Sequence, residues 1–426
     1  MVSLRTMLTL AATKGWDVQQ IDVYNAFLQS DLVEEVYMQL PPGCTHRYDG
    51  VQPALLAVGF QQSHMDYSLF TKRSDEGIVI VLIYVDDLLV TGRSLKLINE
   101  TKTVLKDNFK IKDLGTLRYF LGIEFARNTK GILMHQRKYA LEIISHLGLG
   151  GSKPIATPVE TNVKLTTMVF DKHVGSSSDS LLSDIGAYQR LVGRLIYLTI
   201  TRPDLSYAVQ SLSQFMNAPK RYHMDAAVRV VRYIKQNPGS GILLAAQSSD
   251  YLQAYCDADW GSCLDTRKSI TGYMVKFGDS LLSWKSKKQS TVSRSSAEAK
   301  YRNMTSTVSE VTWIIGLFRG LDMPLTLHVV IHNDSTAAIQ IASNPVFHER
   351  TKHIDIDCHF VREKIQRGIV FIQHLATAEQ LADVLTKGRG RLQHDYLVSK
   401  LGMKNIFISP SLKEGIEEYA KSIAKN

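Results

Sequence analysis

The sequence lacks the features that identify secreted, zinc-binding and membrane-spanning proteins. Its 426 residues contain four cysteines, with no CxxC pair and no histidine at zinc-finger spacing. Neither a disulfide scaffold nor a zinc site is therefore expected, and a reducing compartment fits. The apolar runs are far shorter than the ~20 residues that cross a bilayer, so we expect no membrane anchor. The apolar N-terminus lacks a convincing leader-peptide cleavage site, and we expect a core helix that ends at Gly15.

Several enzyme signatures are also missing. The sequence contains no GxSxG, P-loop, HExxH or GxGxxG motif, so serine hydrolases, nucleotide kinases, zinc proteases and dinucleotide oxidoreductases lack support. The composition is that of a globular protein, with 44% hydrophobic and 21% charged residues. The length allows about two to three domains.

Positive charge is in excess and unevenly distributed. The formal net charge is +9, which favours a polyanionic partner, although so modest an excess could also serve solubility. Residues 188–236 contain eight Lys or Arg against two Asp, and residues 284–302 contain six against Glu298. For the second stretch a solvated basic loop is an equal alternative. The candidate nucleic-acid-binding residues are Arg229, Arg232, Lys285, Lys287, Lys288 and Arg294.

The pattern along the chain predicts five segments. Residues 1–147 alternate apolar strands with helix-like stretches, and residues 148–185 are rich in Gly, Ser, Thr and Pro, which indicates a linker. Residues 186–240 form a small basic helical module. Residues 241–390 mix strands and helices, and residues 391–426 form a tail without a chemical signal. The expected fold class is a multidomain α+β or α/β protein.

A first acidic set lies in the first segment and consists of Asp22, Asp86 and Asp87. The apolar runs IVIVLIY and LLVT flank Val85, Asp86 and Asp87, which predicts a hairpin with two carboxylates at its tip. Phosphoryl transfer by two divalent metals needs carboxylates from separate strands that converge at one point. Two acids in a turn are weak evidence alone, because acids are common in turns.

A second acidic set lies in residues 241–390. Asp257 follows the strand YLQAYC, Glu298 begins a helix that a preceding serine can cap, Asp334 ends the strand LHVVIHN, and Asp383 sits on the predicted helix AEQLADVLTK. Any one of these acids alone would be an ordinary surface residue. Four acids on four elements instead predict a two-metal nuclease site.

Asp259 competes with Asp257 for the first position of the second acidic set. The two residues lie on the same face if the strand continues. We favour Asp257, because it follows the apolar strand directly, whereas Asp259 precedes Trp260, where we expect a turn.

The sequence around these acids resembles a known family. YVDDLLVTG, with DVYNAFL upstream and DLGTLRYFLGIEF downstream, resembles the palm of copia-type reverse transcriptases. AYCDADW, SSAEAKY, HNDSTAAI and AEQLADVLTK resemble the ribonuclease H portion of the same polyproteins. With YQRLVGRLIYLTITRPDLSYAV and similar stretches, the resemblance covers nearly all of residues 1–405. It implies a polymerase palm remnant, an antiparallel sheet with helices, followed by a ribonuclease H-like mixed-sheet domain, with residues 186–240 as a thumb or connection module.

The resemblance implies cofactors, roles and partners. Both acidic sets would bind Mg²⁺ or Mn²⁺, two ions per active site. His374, at the end of the strand IVFIQH, would be a mobile histidine that assists proton transfer or product release, and the alternative is a hydrogen-bonded polar residue at a strand end. Expected partners are an RNA–DNA hybrid, an RNA template and a DNA primer. The expected location is a cytoplasmic retrotransposon particle, the nucleus, or both.

Departures from the family pattern qualify these expectations. A fingers region before residue 1 and an SLYGLKQA-type segment between the PPG motif at 41–43 and Gly59 are both missing, so we expect impaired polymerase activity. Lys300 replaces the second Glu of the family's AEAE run, and we expect it to affect metal binding only indirectly. The expected function is metal-dependent cleavage of RNA in RNA–DNA hybrids. The alternatives are an inert nucleic-acid-binding remnant and a polymerase completed by another chain.

Overall fold

The structure of the chain is a computed structural model, and it describes residues 1–24, 51–175, 179–247, 249–323, 325–343 and 354–407. The PPG motif lies outside the described residues. Within those ranges the α-helices are α1 (Val2–Lys14), α2 (Val51–Ala57), α3 (Leu95–Asn108), α4 (Arg137–His146), α5 (Met168–Val174), α6 (Ile185–Leu198), α7 (Ser206–Ser213), α8 (Arg221–Ile234), α9 (Ser296–Gly320), α10 (Thr336–Ser343), α11 (Asp355–Gln366) and α12 (Arg391–Lys400). The strands are β1 (Val18–Val23), β2 (Gln61–Gln62), β3 (Leu69–Ser74), β4 (Gly77–Tyr84), β5 (Asp87–Gly92), β6 (Ile111–Thr116), β7 (Tyr119–Phe120), β8 (Ile123–Asn128), β9 (Gly131–His135), β10 (Gly241–Ala245), β11 (Tyr251–Asp259), β12 (Ile270–Phe277), β13 (Ser280–Lys288), β14 (Thr326–Asn333), β15 (Val370–His374) and β16 (Met403–Lys404).

The described strands form three sheets. The first sheet has the order β2-β3-β4-β5-β1-β6 and is antiparallel throughout. The middle sheet, β16-β10-β9-β8-β7, is also antiparallel. The third sheet has the order β13-β12-β11-β14-β15, in which β11, β14 and β15 run parallel. Antiparallel sheets with helices followed by a mixed sheet confirm the expected fold class.

The first sheet is built around the predicted hairpin of β4 and β5. Successive side chains of a strand point to opposite faces, and both faces of β4 are covered. Ile80 and Leu82 enter a core that includes α1, whereas Val79 and Val81 enter a core that includes α3. The continuous apolar run IVIVLI is therefore explained by burial on both sides.

Helix α1 belongs to a core that extends from the first sheet to the third sheet. It ends at Gly15, which has the left-handed φ of 69° that suits a glycine after a helix, as the sequence predicted. Leu8 of α1, Leu244 of β10 and Leu281 of β13 are fully buried in one continuous apolar cluster. The palm and the third sheet therefore share a core.

Three of the predicted segments differ from the structure. Strand β10 pairs with β9 and β16, so residues 241–245 belong to the middle sheet and not to the mixed sheet. The segment predicted as a linker contains α5, whose Asp171 forms a buried ion pair with Lys220 at the start of α8. The predicted tail contributes α12 and β16, because the apolar residues Leu397, Leu401 and Met403 pack into the shared core.

Residues 280–288 form strand β13 and not the basic loop that the sequence suggested as an alternative. They pair with β12 over the full strand. The exposed Lys285 and Lys287 alternate with the partly buried Trp284, Ser286 and Lys288. Among the helices of the described ranges, none combines the length and apolar character needed to cross a membrane.

Candidate active sites

Two hairpin strands and β1 bring the first acidic set together. Asp22 on β1 lies opposite Asp87 on β5, and Val85 and Asp86 form the two-residue turn between β4 and β5. The Val23 N–H donates a hydrogen bond of 2.8 Å to the carbonyl of Asp86, which holds the turn against β1. The three acidic residues thus lie at the same end of neighbouring strands in the first sheet.

The first acidic set has no counter-ion among the described residues, where no ion pair involves its members. Asp86 Oδ1 is buried and has no hydrogen-bond partner in the described part of the chain. Burial raises the pKa of Asp87, the charges of Asp22 and Asp86 raise it further, and a 3.4 Å hydrogen bond from Gln20 opposes the shift. Such uncompensated carboxylates suit a bound divalent cation.

Val85 gives the hairpin tip an unusual backbone. Its φ is 57°, a left-handed value that two-residue hairpin turns favour but that β-branched residues rarely adopt. Strained residues of this kind are concentrated at functional sites. The side chain is exposed, beside the three carboxylates.

The parallel strands of the third sheet place the second acidic set at their carboxyl ends. Strands β11 and β14 are neighbours, and their register puts Tyr255 beside His332, so Asp257 and Asp334 follow at the same end. Strand β11 continues to Asp259, which is part-exposed and lies 3.4 Å from Lys164. Asp257 is fully buried.

Two lysines connect three members of the second acidic set. Lys300 Nζ lies 2.6 Å from Asp334 Oδ1 and 3.3 Å from Asp257 Oδ1. Lys387 Nζ lies 2.8 Å from Asp257 Oδ2 and 2.9 Å from Asp383 Oδ1, and Arg389 contacts the other oxygen of Asp383. Lys300 thus contacts two of the acids directly, because its long side chain reaches from α9 to both strands. Its effect on metal binding stays a prediction.

Glu298, the fourth acid, lies buried at the start of α9. Ser295 caps the helix by accepting a hydrogen bond from the Glu298 N–H at 3.2 Å, as predicted for a preceding serine. The carboxylate accepts a 2.8 Å hydrogen bond from the Arg294 N–H and lies 3.0 Å from Arg302 Nε. Lys300 and Arg302, both counted in the second basic stretch, thus face the acids.

Asp383 sits on a short 3-10 helix, Leu381–Leu385, and not on the predicted α-helix. Gln380 explains the difference, because its side chain accepts a hydrogen bond from the Ala382 N–H and donates one to the carbonyl of Cys256, both at 3.2 Å. Thr386 donates a 2.7 Å hydrogen bond to Asp257 Oδ2. Sequence reasoning missed these two anchors, which dock residues 380–386 onto the end of β11.

The lysines act unequally on the two most buried acids. Burial alone would raise the pKa of Asp257, but Lys387, Lys300 and the Thr386 hydrogen bond outweigh it and hold that pKa well below its usual range. Burial and the negative charge of Asp257 raise the pKa of Asp383 to about 6, and Lys387 and Arg389 offset this only in part.

Buried carboxylate oxygens are the donors that Mg²⁺ and Mn²⁺ prefer, so both sets have suitable chemistry. In addition, the buried Asp257 Oδ1 accepts no hydrogen bond from any described residue. Within the described ranges, however, no three Asp, Glu, His or Cys side chains lie close enough to hold one ion. In the second acidic set, ammonium groups stand between the carboxylates that a metal would join.

The other candidate residues fall into three places. His374 is exposed at the end of β15 and pairs with Asn333, the residue before Asp334. Arg229 lies 3.3 Å from Thr157 and 4.0 Å from Glu160, and Arg232 donates a 3.0 Å hydrogen bond to the Lys153 carbonyl. Both arginines thus contact groups of the protein itself. A groove of about 320 Å³ beside α9 is lined by, among others, Lys285, Lys287, Lys288 and Arg302. Arg294, which follows these lysines in the sequence, is also exposed.

Comparisons with known proteins agree with the resemblance of the sequence. A family model described as Reverse transcriptase (RNA-dependent DNA polymerase) matches residues 44–161. The Retrovirus-related Pol polyprotein from transposon RE2 of Arabidopsis thaliana is 40% identical over 96% of this chain and 29% of its own length. The corresponding polyprotein from transposon TNT 1-94 of Nicotiana tabacum is 31% identical over 95% of this chain and 32% of its own length.

The chain thus spans about three tenths of the length of these curated relatives. Among solved structures, the foamy viral protease-reverse transcriptase in complex with dsDNA is 14% identical, with a TM-score of 0.41 over 87% of this chain and 70% of that one.

Proposed function

Because the chain belongs to the family of copia-type retrotransposon Pol polyproteins, we propose that its third sheet carries a ribonuclease H activity that cleaves the RNA strand of RNA–DNA hybrids. The observation that carries the proposal is the position of Asp257 and Asp334 at the carboxyl ends of adjacent parallel strands, with Asp383 docked beside them. Asp257 contacts partners on both of its oxygens, as a residue shared by two cations must.

The proposed metal ligands are Asp257, Glu298, Asp334 and Asp383. When bound, divalent ions would activate a water molecule and stabilise charge on the scissile phosphate. The exposed lysines of β13, Lys285 and Lys287, are placed to hold phosphates of the hybrid. His374, exposed one register position from Asp334, is available to exchange a proton with solvent. Recognition of the ribose 2′-hydroxyl would distinguish RNA from DNA.

We predict that the full chain nicks the RNA strand of a labelled hybrid in Mg²⁺ or Mn²⁺ and leaves double-stranded DNA intact. The double substitution Asp257→Asn, Asp334→Asn should reduce the rate by about 10²–10³-fold or more, because it removes groups that organise transition-state charge. Asp86→Asn, in the first acidic set, is the matched control and should cleave normally. Equal cleavage by the double variant would contradict the proposal.

A second candidate function follows from the lysine contacts. Lys300 and Lys387 neutralise the second acidic set internally, which favours a protein that binds nucleic acid without cutting it. Hybrid binding without cleavage at any Mn²⁺ concentration would support this function and exclude the first.

We further propose that RNA-directed DNA synthesis by the palm is impaired. The acids of the first set are in place, but only the 15 residues CTHRYDGVQPALLAV separate the PPG motif from Gly59. The SLYGLKQA-type segment, which in the family contributes to the nucleotide pocket, is absent from that interval. Primer extension on an RNA template should be undetectable. Robust extension that disappears in Asp86→Asn would contradict the prediction.

A further inference from the structure

The contacts of Lys300 distinguish it from the other cations around the second acidic set. Its side chain is 16% exposed, and the carboxylates of Asp257 and Asp334 on either side of it are 0% and 3% exposed. It comes from α9, whereas Asp257 lies in β11 and Asp334 directly follows β14. The ammonium therefore fills a buried position between two strands that each supply one carboxylate.

The charges in this cluster are already balanced without a metal. Asp257, Asp334 and Asp383 contribute three negative charges, and Lys300, Lys387 and Arg389 contribute three positive charges. A divalent cation added to this arrangement would lie beside ammonium groups and be repelled by them. A metal can join Asp257 to Asp334 only if Lys300 leaves.

The ion pair between Lys300 and Asp257 is the longest of those that join the three aspartates to their cations. Asp257 Oδ2 is held by both Lys387 and Thr386, at 2.8 and 2.7 Å. Asp257 Oδ1 has only the longer 3.3 Å ion pair with Lys300 and accepts no hydrogen bond from the described residues. A buried carboxylate oxygen with an incomplete set of partners is the place where a stronger cation enters.

We propose that the Lys300 ammonium is a built-in cation that competes with a divalent metal for Asp257 and Asp334. The second acidic set then binds metal more weakly than four carboxylates imply, and loss of this ammonium exposes a stronger metal position. The inference rests on the proposed function only in taking these acids as metal ligands.

The test is direct measurement of Mn²⁺ binding by calorimetry, without substrate, in full-length protein carrying Asp22→Asn and Asp86→Asn so that the first acidic set does not contribute. Lys300→Met, which keeps the length of the side chain and removes its charge, should bind Mn²⁺ about tenfold more tightly or better. Lys300→Arg, which keeps the charge, should bind as weakly as the parent. Lys106→Met, an exposed lysine on α3, is the matched control and should also equal the parent.

Each outcome decides the proposal. Equal Mn²⁺ affinity in Lys300→Met and Lys106→Met overturns it. If Lys300→Met is unfolded without metal, recovery of its native circular dichroism in millimolar Mn²⁺ supports the proposal, and failure to recover overturns it.

Hybrid cleavage is measured separately on the same variants with an intact first acidic set. If Lys300→Met binds metal more tightly but no variant cleaves the hybrid, the ribonuclease function is contradicted and the proposed role of Lys300 is supported. If the variants cleave the hybrid but Lys300→Met has unchanged Mn²⁺ affinity, the ribonuclease function is supported and the proposed role of Lys300 is contradicted.

Discussion

Asp86 Oδ1 and Asp257 Oδ2 are both buried carboxylate oxygens, but their surroundings differ. Asp86 Oδ1 has no hydrogen-bond partner among the described residues, whereas Asp257 Oδ2 is held by Lys387 and Thr386. A buried anion without a partner is costly, and an internal ion pair reduces that cost only when its geometry is good. Among the described residues, the first acidic set therefore lacks a cationic partner, whereas the second acidic set carries its own.

Asp383 provides a pH-dependent test of this arrangement. Its pKa is raised to about 6 by burial and by the charge of Asp257, whereas an unfolded Asp has a pKa of about 4. The folded protein thus keeps a proton that the unfolded chain has already lost. The stabilisation that comes from this bound proton is complete below about pH 4 and is lost as the pH rises through about 6.

We predict that Asp383→Asn removes this dependence. Between pH 4 and pH 7, the free energy of unfolding of the variant should rise by about 2–3 kcal/mol relative to the wild type, since a shift of one pKa unit is worth about 1.4 kcal/mol. Urea denaturation at several pH values measures it. Asp395→Asn, an exposed acid on α12, should follow the wild-type profile. Parallel profiles for Asp383→Asn and the wild type would count against the raised pKa.

At the scale of elements, the sequence predicted the helices and strands whose formation depends on residues close together in the chain. The hairpin of β4 and β5 follows from two β-rich apolar runs on either side of polar residues, and α1 ends where Gly15 adopts a left-handed φ. Strand β14 ends directly before Asp334 as predicted, whereas β11 continues past Asp257 to Asp259. These features depend on neighbours within a few residues in the sequence.

The elements that were missed depend on distant partners. Strand β13 alternates lysine with less polar residues, and only its pairing with β12 distinguishes it from a solvated loop. The 3-10 helix at Leu381–Leu385 is fixed by the hydrogen bond from Gln380 to Cys256, 124 residues away in the sequence. The contact of Lys300 with both strands likewise requires the packing of α9, which spacing along the chain does not supply.

For the whole molecule, the shared core couples the palm to the third sheet. Arg5 on α1 adds to the link, since its guanidinium donates a 2.6 Å hydrogen bond to the Leu282 carbonyl on β13 and lies 4.0 Å over the Trp284 ring. Burial lowers the pKa of Arg5 to about 9, with the charge of Glu310 opposing the shift. The third sheet is therefore not expected to fold as an isolated piece.

We predict that damage in α1 reaches the third sheet. Leu8→Ala should lower the free energy of unfolding by about 2–5 kcal/mol, the usual range for a buried leucine, and should speed amide hydrogen exchange in β11 and β12 as well as in β4. Ile98→Ala, in the separate core beneath α3, should affect mainly the first sheet. Unchanged exchange in β11 of Leu8→Ala would show that the two halves unfold independently.

Elements that pack together are far apart in the sequence, which has a consequence for synthesis on the ribosome. Strand β10 lies between β9, which is made about a hundred residues earlier, and β16, which comes near the end of the described chain. At translation rates of about 5–20 residues per second, α1 waits roughly 15 to 60 seconds for β13 to emerge. For that time the nascent helix must keep apolar surface and the Arg5 guanidinium without the partners that cover them in the finished protein.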